Sequence, residues 1–328
     1  MRFILFLLSF QLLFFSAYSQ KIDYSVPKDF VKYIDKQDYR KIIDASVAII
    51  SKRYQIDFVK KGAIHLKSGQ YMEGFHVDNL INKCLRVEDK SKWETEIEEH
   101  FTNLFASLDE QKNINPEDFE SIRKYLSLRI YSKVFIEQKA GRDKIIFETH
   151  LEDTYTVLML DLPGAFATVD PGVFENWKQN KKEVFDIAQT NINKQQVEKI
   201  TKTFQVDQAE VEISFLGNED YAASYALDLI HNSPDLVGEW GSVIAVPNKG
   251  LVNICKISRD KPVEFVKFIQ YTKAAVEQFY RQHPQPISNQ YFWYYQDRFT
   301  RINVLTDAAG NINVIAPLGL AELMSEKK

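Results

Sequence analysis

Apolar positions recur at helical spacing over residues 27–53, with Ile42, Ile43, Val47, Ile50 and then Tyr54 on one stripe and Pro27 opening the first turn. The period then falls to two. Tyr54 to Val59 alternates, Lys61-Gly62 turns, Ala63 to Leu66 runs back, and Gly69 opens a third extended piece ending near Phe75. Helices are predicted over 77–87 and 91–109. In the second, Trp93, Ile97, Phe101, Leu104, Phe105 and Leu108 form one face, while Glu94, Glu96, Glu98 and Glu99 crowd the first half, where the helix dipole favours anions. These elements make an N-terminal α+β module over residues 20–112.

The remainder, residues 113–328, reads as a larger α+β domain. Asn115-Pro116 starts a short helix, and strands are predicted near 127–136, 144–150 and 154–161. A helix over 174–193 leads into strands near 200–206 and 209–216, and Gly217-Asn218-Glu219-Asp220 breaks into a helix from Tyr221 to Ile230. Val243 to Val246 and Leu251 to Ile257 flank Pro247-Asn248-Lys249-Gly250 and are apolar on both faces, which places them centrally in a sheet. A helix over 262–281 precedes a meander of 291–296, 299–305 and 312–315. Helices and antiparallel hairpins alternate without a regular βαβ rhythm, so the fold class is α+β.

The first nineteen residues differ from all of this. Arg2 precedes an apolar run from Phe3 to Phe15, and Ala17 and Ser19 supply small residues at a cleavage site. The run is shorter than the roughly twenty residues needed to span a bilayer. It reads as a secretory signal over residues 1–19, which predicts a periplasmic or extracellular protein with no membrane span after its removal. Cys84 is the first cysteine, so no lipid anchor is expected near the cut.

Composition narrows the function classes. A formal charge of −4 gives no basic field for nucleic acid. Two cysteines, Cys84 and Cys255, exclude a disulfide-rich scaffold, although an export compartment leaves a single disulfide between them open. No nucleophile elbow, zinc-protease helix, phosphate loop or dinucleotide fingerprint occurs, and no metal site or cofactor is expected.

What remains is a short set of candidates. His150-Leu151-Glu152-Asp153 places His150 and Glu152 on one side of an extended segment, with Asp161 further on. Asp153, Asp161, Asp220 and Glu239 are the carboxylates that could serve a hydrolase, since paired carboxylates need no visible motif. Tyr291-Phe292-Trp293-Tyr294-Tyr295 puts Tyr291, Trp293 and Tyr295 on one strand face. With Trp240, beside Gly241, they are candidates for a sugar or peptide platform, the alternative being a face covered by a helix.

Several stretches of the second half are similar to the YtpQ-like family, a domain of unknown function best represented in cytoplasmic bacterial proteins. Leu128-Arg129-Ile130-Tyr131 resembles its R-I-Y-P strand, with Ser132 in the Pro position, and Leu158 to Leu162 resembles its A-L-D-L strand. Trp177, Ala188 and Asn191-Ile192 follow its W…A…N-L helix; Gly217 to Ser224 resembles its G-Y-D-A-S helix start, and Ser242 to Pro247 its strand ending in V-P. The resemblance implies a fold and no activity, and the export signal departs from it. The sequence thus predicts an exported binding protein, taking a protein partner or an envelope glycan or peptide, with an envelope hydrolase using paired carboxylates as the alternative.

Overall fold

The computed structural model describes residues 21–326 apart from Tyr71, Ala140, Gly164 and Asp207, and the expected export signal lies outside the described residues. The chain divides into two compact units, one ending at Asp109 and the other beginning at Glu110. Both are α+β, and among the described residues no helix is long and apolar enough to cross a membrane.

The first unit runs β1 (Lys21–Ile22), α1 (Lys36–Ile50), β2 (Ile56–Lys60), β3 (Ala63–Leu66), β4 (Gly74–His76), α2 (Asp78–Arg86) and α3 (Trp93–Gln111). The strands form one sheet in sequence order. The helix expected from Pro27 begins later, because residues 28–33 form turns and Asp35 caps α1 by accepting a 2.8 Å hydrogen bond from the Asp38 amide. Lys61 and Gly62 both take positive φ, the twist that a two-residue hairpin needs. The stripes read from sequence meet in one core: Ile42, Ile43 and Ile50 from α1 pack with Leu80, Ile81 and Cys84 from α2 and with Trp93, Ile97 and Phe101 from α3.

The second unit opens with α4 (Phe119–Ile122), β5 (Leu126–Ser132), α5 (Lys133–Lys139), β6 (Phe147–Glu148), β7 (Thr154–Leu162), β8 (Ala165–Thr168), α6 (Pro171–Asn176) and α7 (Lys181–Ile192). It continues with β9 (Glu198–Val206), β10 (Ala209–Gly217), α8 (Ala222–Tyr225), α9 (Leu229–Asn232), β11 (Ser242–Asn248) and β12 (Leu251–Lys256). Then come α10 (Glu264–Gln282), β13 (Tyr291–Tyr295), β14 (Arg298–Thr306), β15 (Ile312–Ile315) and α11 (Leu318–Ser325). Several boundaries differ from the sequence pattern. The helix expected at Asn115-Pro116 starts at Phe119 behind the Asp118 cap, the helix expected over 221–230 breaks into α8 and α9, and the strand expected over 144–150 shortens to β6. Two more changes have a clear local cause. The strand expected over 127–136 turns helical at Lys133, where Ser132 Oγ accepts from the Phe135 amide at 3.3 Å. The helix expected over 174–193 is broken by Lys178 at φ 53° and restarted by Asn180, whose side chain accepts from the Lys182 and Glu183 amides.

Seven strands form the main sheet in the order β15-β14-β13-β11-β12-β10-β9, with the two doubly apolar strands near its centre. Alternation along β11 and β13 feeds two cores. Ile244, Val246, Phe292 and Tyr294 face one, shared with β5, β7 and α7. Val243, Ala245, Tyr291 and Trp293 face the other, covered by Phe265, Phe268, Ile269 and Val276 of α10 and Leu320 of α11. A smaller sheet of β5, β7, β6 and β8 lies against α7 through the first of these cores.

Candidate functional site

Helix α7 supplies one wall of a cleft of about 910 Å³ in the second unit. Val184, Phe185, Ala188 and Ile192 make its buried stripe, so helical spacing leaves Lys182, Asp186, Gln189, Thr190 and Asn193 along the opposite side. Asn191 anchors the helix, donating from Nδ2 to the Arg123 and Leu126 carbonyls at 3.0 Å each. Leu128, Phe185 and Leu227 add apolar surface, and beyond α7 the rest of the lining is polar: Glu148, His150, Asp228, His231 and Asp297.

The polar groups are held. His150 Nδ1 shares a 2.9 Å hydrogen bond with Thr156 Oγ1, and its Nε2 stands 3.7 Å from Glu148 Oε2. Opposite in role, His231 Nδ1 meets Asp228 Oδ1 at 2.5 Å, and Asp228 Oδ2 accepts from Asn193 Nδ2 at 2.6 Å. Asn193 Oδ1 in turn accepts from Gln189 and Asn232, so α7 and α9 are tied together through this network. Asp297 sits at positive φ in the β13–β14 turn and accepts from the Tyr294 hydroxyl at 2.7 Å.

The two imidazoles have opposite protonation tendencies. Burial pulls His150 below the usual 6.5, while the hydrogen bond to Asp228 pushes His231 above it. Burial also raises Glu148. In the interval between the two histidine values, His150 is a neutral proton acceptor and His231 a cationic donor, an arrangement suited to polar recognition and to proton transfer. A proton titration followed on the imidazole NMR signals is expected to show His150 titrating below and His231 above 6.5. Coincident curves would remove the asymmetry. The signs for stability follow: His150 makes the fold more stable as pH rises from its folded value to 6.5, whereas the His231 contribution is lost as pH rises through its folded value.

Sequence reasoning picked out His150 and missed Glu148, Asp186, Asn193 and Asp228. The latter are ordinary surface residue types, and only the packing of α7 between β6 and α9 makes them neighbours.

The four candidate carboxylates separate into different settings. Asp153, at φ 60° and exposed, lies 4.0 Å from Lys133 and 3.9 Å from Arg301, while Glu152 pairs with Arg301 at 2.9 Å. Glu239 pairs with Arg259 at 2.8 Å on the surface. Asp161 and Asp220 do come together. Tyr221 donates its hydroxyl to half-buried Asp161, and the adjacent Asp220 is bound by Arg129 and, at 2.7 Å, by Lys249. Arg129 lies 3.8 Å over the Phe166 ring. Burial raises Asp161, and the neighbouring Asp220 charge adds to that shift. Ion pairing thus makes this cluster a brace among β5, β7, α8 and the β11–β12 turn. Ser224, which donates to the Leu128 carbonyl at 2.6 Å, extends the same brace.

The aromatic platform is corrected by the packing. Tyr291, Trp293 and Trp240 are buried, and Trp293 donates from Nε1 to the Trp240 carbonyl at 2.7 Å. Tyr291 hydrogen-bonds Thr272 of α10 at 2.8 Å, and Tyr295 stacks on Trp293 with ring centroids 5.1 Å apart. Helices α10 and α11 cover this face, so Tyr291, Trp293 and Trp240 serve the core, and Tyr295 is left half-buried against Trp293. The Cys84–Cys255 disulfide that the sequence left open does not form: both thiols are free and buried, each in the core of its own unit. Burial pushes the Cys84 thiol up to about 11 and raises Cys255 further, which removes thiolate reactivity near neutral pH. Among the described residues no group of three or more His, Cys, Asp and Glu side chains is placed to hold a metal ion.

No protein-family model matches the chain, and no match is found among curated proteins or solved structures.

Proposed function

We propose that this is an exported binding protein of the cell envelope whose ligand occupies the cleft beside α7. The observation that carries the reading is the cleft itself, about 910 Å³ and lined by fixed polar side chains over a small apolar floor. That volume lies within the roughly 300–1,000 Å³ of small-molecule sites and suits a short glycan or peptide. The hydrophobic run over residues 1–15 and the small residues at Ala17 and Ser19 support export. Of the residues in the stretches that resemble the YtpQ-like family, Arg129, Asp161, Asp220 and Ser224 belong to the internal brace of the second unit and so have a structural role apart from the ligand.

Titration with N-acetylglucosamine oligosaccharides and soluble peptidoglycan fragments tests this. Binding is expected to weaken about tenfold or more in Asp228→Ala, which removes the anchor of both Asn193 and His231, with the melting curve as the control for folding. No binding of either ligand class, or binding indifferent to Asp228, would defeat the proposal. A second reading, hydrolysis, is favoured by Asp161, a protonation-prone carboxyl beside a second carboxylate. It requires cleavage products in the same incubations and their loss in Asp161→Asn.

A further inference from the structure

The cleft beside α7 has a neighbour of opposite charge. A second depression of about 660 Å³ lies on the other flank of the helix, lined by Glu120, Arg123, Lys124, Asn191 and Lys194, among others. Thr190 lines both hollows, so they meet over one residue on the exposed ridge of α7. The first hollow sets Glu148, Asp186, Asp228 and Asp297 against Lys182 and His231. The second sets Arg123, Lys124 and Lys194 against Glu120 alone.

Internal pairing leaves an excess at each end. Lys182 is matched to Asp186 at 2.7 Å and His231 to Asp228, while Glu148 meets only His150 within ion-pair distance among the described residues, Lys181 and Lys182 acting on it from farther off. On the other flank Arg123 is matched to Glu120 at 3.7 Å, and Lys194 has no ion pair among the described residues. A carboxylate with no ion-paired lysine or arginine and a lysine with no ion-paired carboxylate therefore stand in the two hollows that Thr190 joins.

We infer that the two hollows form one dipolar site for a short extended peptide with free ends, its amine in the His150 hollow beside Glu148 and its carboxylate at Lys194. This rests on the reading of the first hollow as the ligand site and narrows the ligand to a zwitterionic peptide. The helix sets the length. Asp186, which lines the same hollow as Glu148, and Lys194 in the other lie eight residues apart, roughly 12 Å at about 1.5 Å per residue. An extended chain rises about 3.3 Å per residue, so about four residues reach from one hollow into the other. Such a ligand brings opposite charges to both ends at once, and each contact weakens with salt.

The probes are tetra-alanine, its N-acetyl form, its C-terminal amide and the doubly capped form, titrated calorimetrically at low salt. The free peptide is expected to bind about tenfold tighter than the doubly capped one. Glu148→Gln should remove the preference for the free amine alone, and Lys194→Ala the preference for the free carboxylate alone. Both are mild changes at a strand end and an exposed position, and melting curves identify any variant that unfolds. Equal binding of the four peptides, or retention of both preferences in the two variants, overturns the inference and leaves the cleft as a ligand site. Binding of N-acetylglucosamine oligosaccharides without any peptide binding does the same. If neither class binds, the inference and the cleft reading fall together.

Discussion

Trp293→Ala is expected to destabilise the second unit by about 3–5 kcal/mol, the range for removing a buried aromatic side chain. The side chain is buried between Tyr295 and the backbone of Gly319, and its indole donates to the Trp240 carbonyl at 2.7 Å. Truncation leaves a cavity and also leaves that carbonyl without its donor, worth about 1 kcal/mol more. Denaturant unfolding of the variant should show the transition of this unit at a clearly lower midpoint with its slope retained. A midpoint unchanged within error would mean that the ring is solvent-facing, and the platform reading of the aromatic strand would return. A binding defect in Trp293→Ala therefore counts toward a ligand contact only after the loss of stability has been separated from it.

Gly241→Ala is expected to be comparably damaging, about 3 kcal/mol or more, for a different reason. Gly241 has φ 80°, a region that costs a non-glycine residue about 1–3 kcal/mol. The added Cβ would also stand 2.1 Å from the Tyr294 carbonyl oxygen and 3.1 Å from the Trp293 indole nitrogen. Neither β13 nor the Gly238–Gly241 bridge, where the Ile257 amide donates to the Gly241 carbonyl at 2.9 Å, can move away cheaply. Gly310→Ala is the matched control. Its φ is 86°, but nothing lies within 4 Å of the new atom, so only the conformational part, about 1–3 kcal/mol, remains. Equal midpoints for the two variants would show that the close approach at Gly241 is not felt.

Much of the frame was legible because burial writes itself into periodicity. The stripe of α3, the doubly apolar β11 and β12, and the two-faced aromatic pattern of β13 each appear in the sequence because each meets a core. Local hydrogen bonding was harder to read. Asp35, Ser132 and Asn180 set helix starts through side-chain contacts to one or two nearby amides, which leave no mark on the hydrophobic pattern. The site was least legible. Trp240, Tyr291 and Trp293 have the composition of a ligand surface, and only the placement of α10 and α11 shows that they are covered. Conversely, Glu148, Asn193 and Asp228 have no pattern of their own and become a set only when β6, α7 and α9 converge. Asp161 and Asp220 were visible as charges, but their partners Arg129, Tyr221 and Lys249 come from three other segments.

The two free thiols give the molecule a pair of built-in reporters. Each core holds one cysteine, Cys84 in the first and Cys255 in the second, and the sequence contains no others. A thiol reagent reaches either sulfur only when the surrounding core opens, so the labelling rate at each cysteine measures the opening of that core under native conditions. Peptide mapping of the labelled chain would thus time the breathing of the two units in a single sample, without an engineered probe.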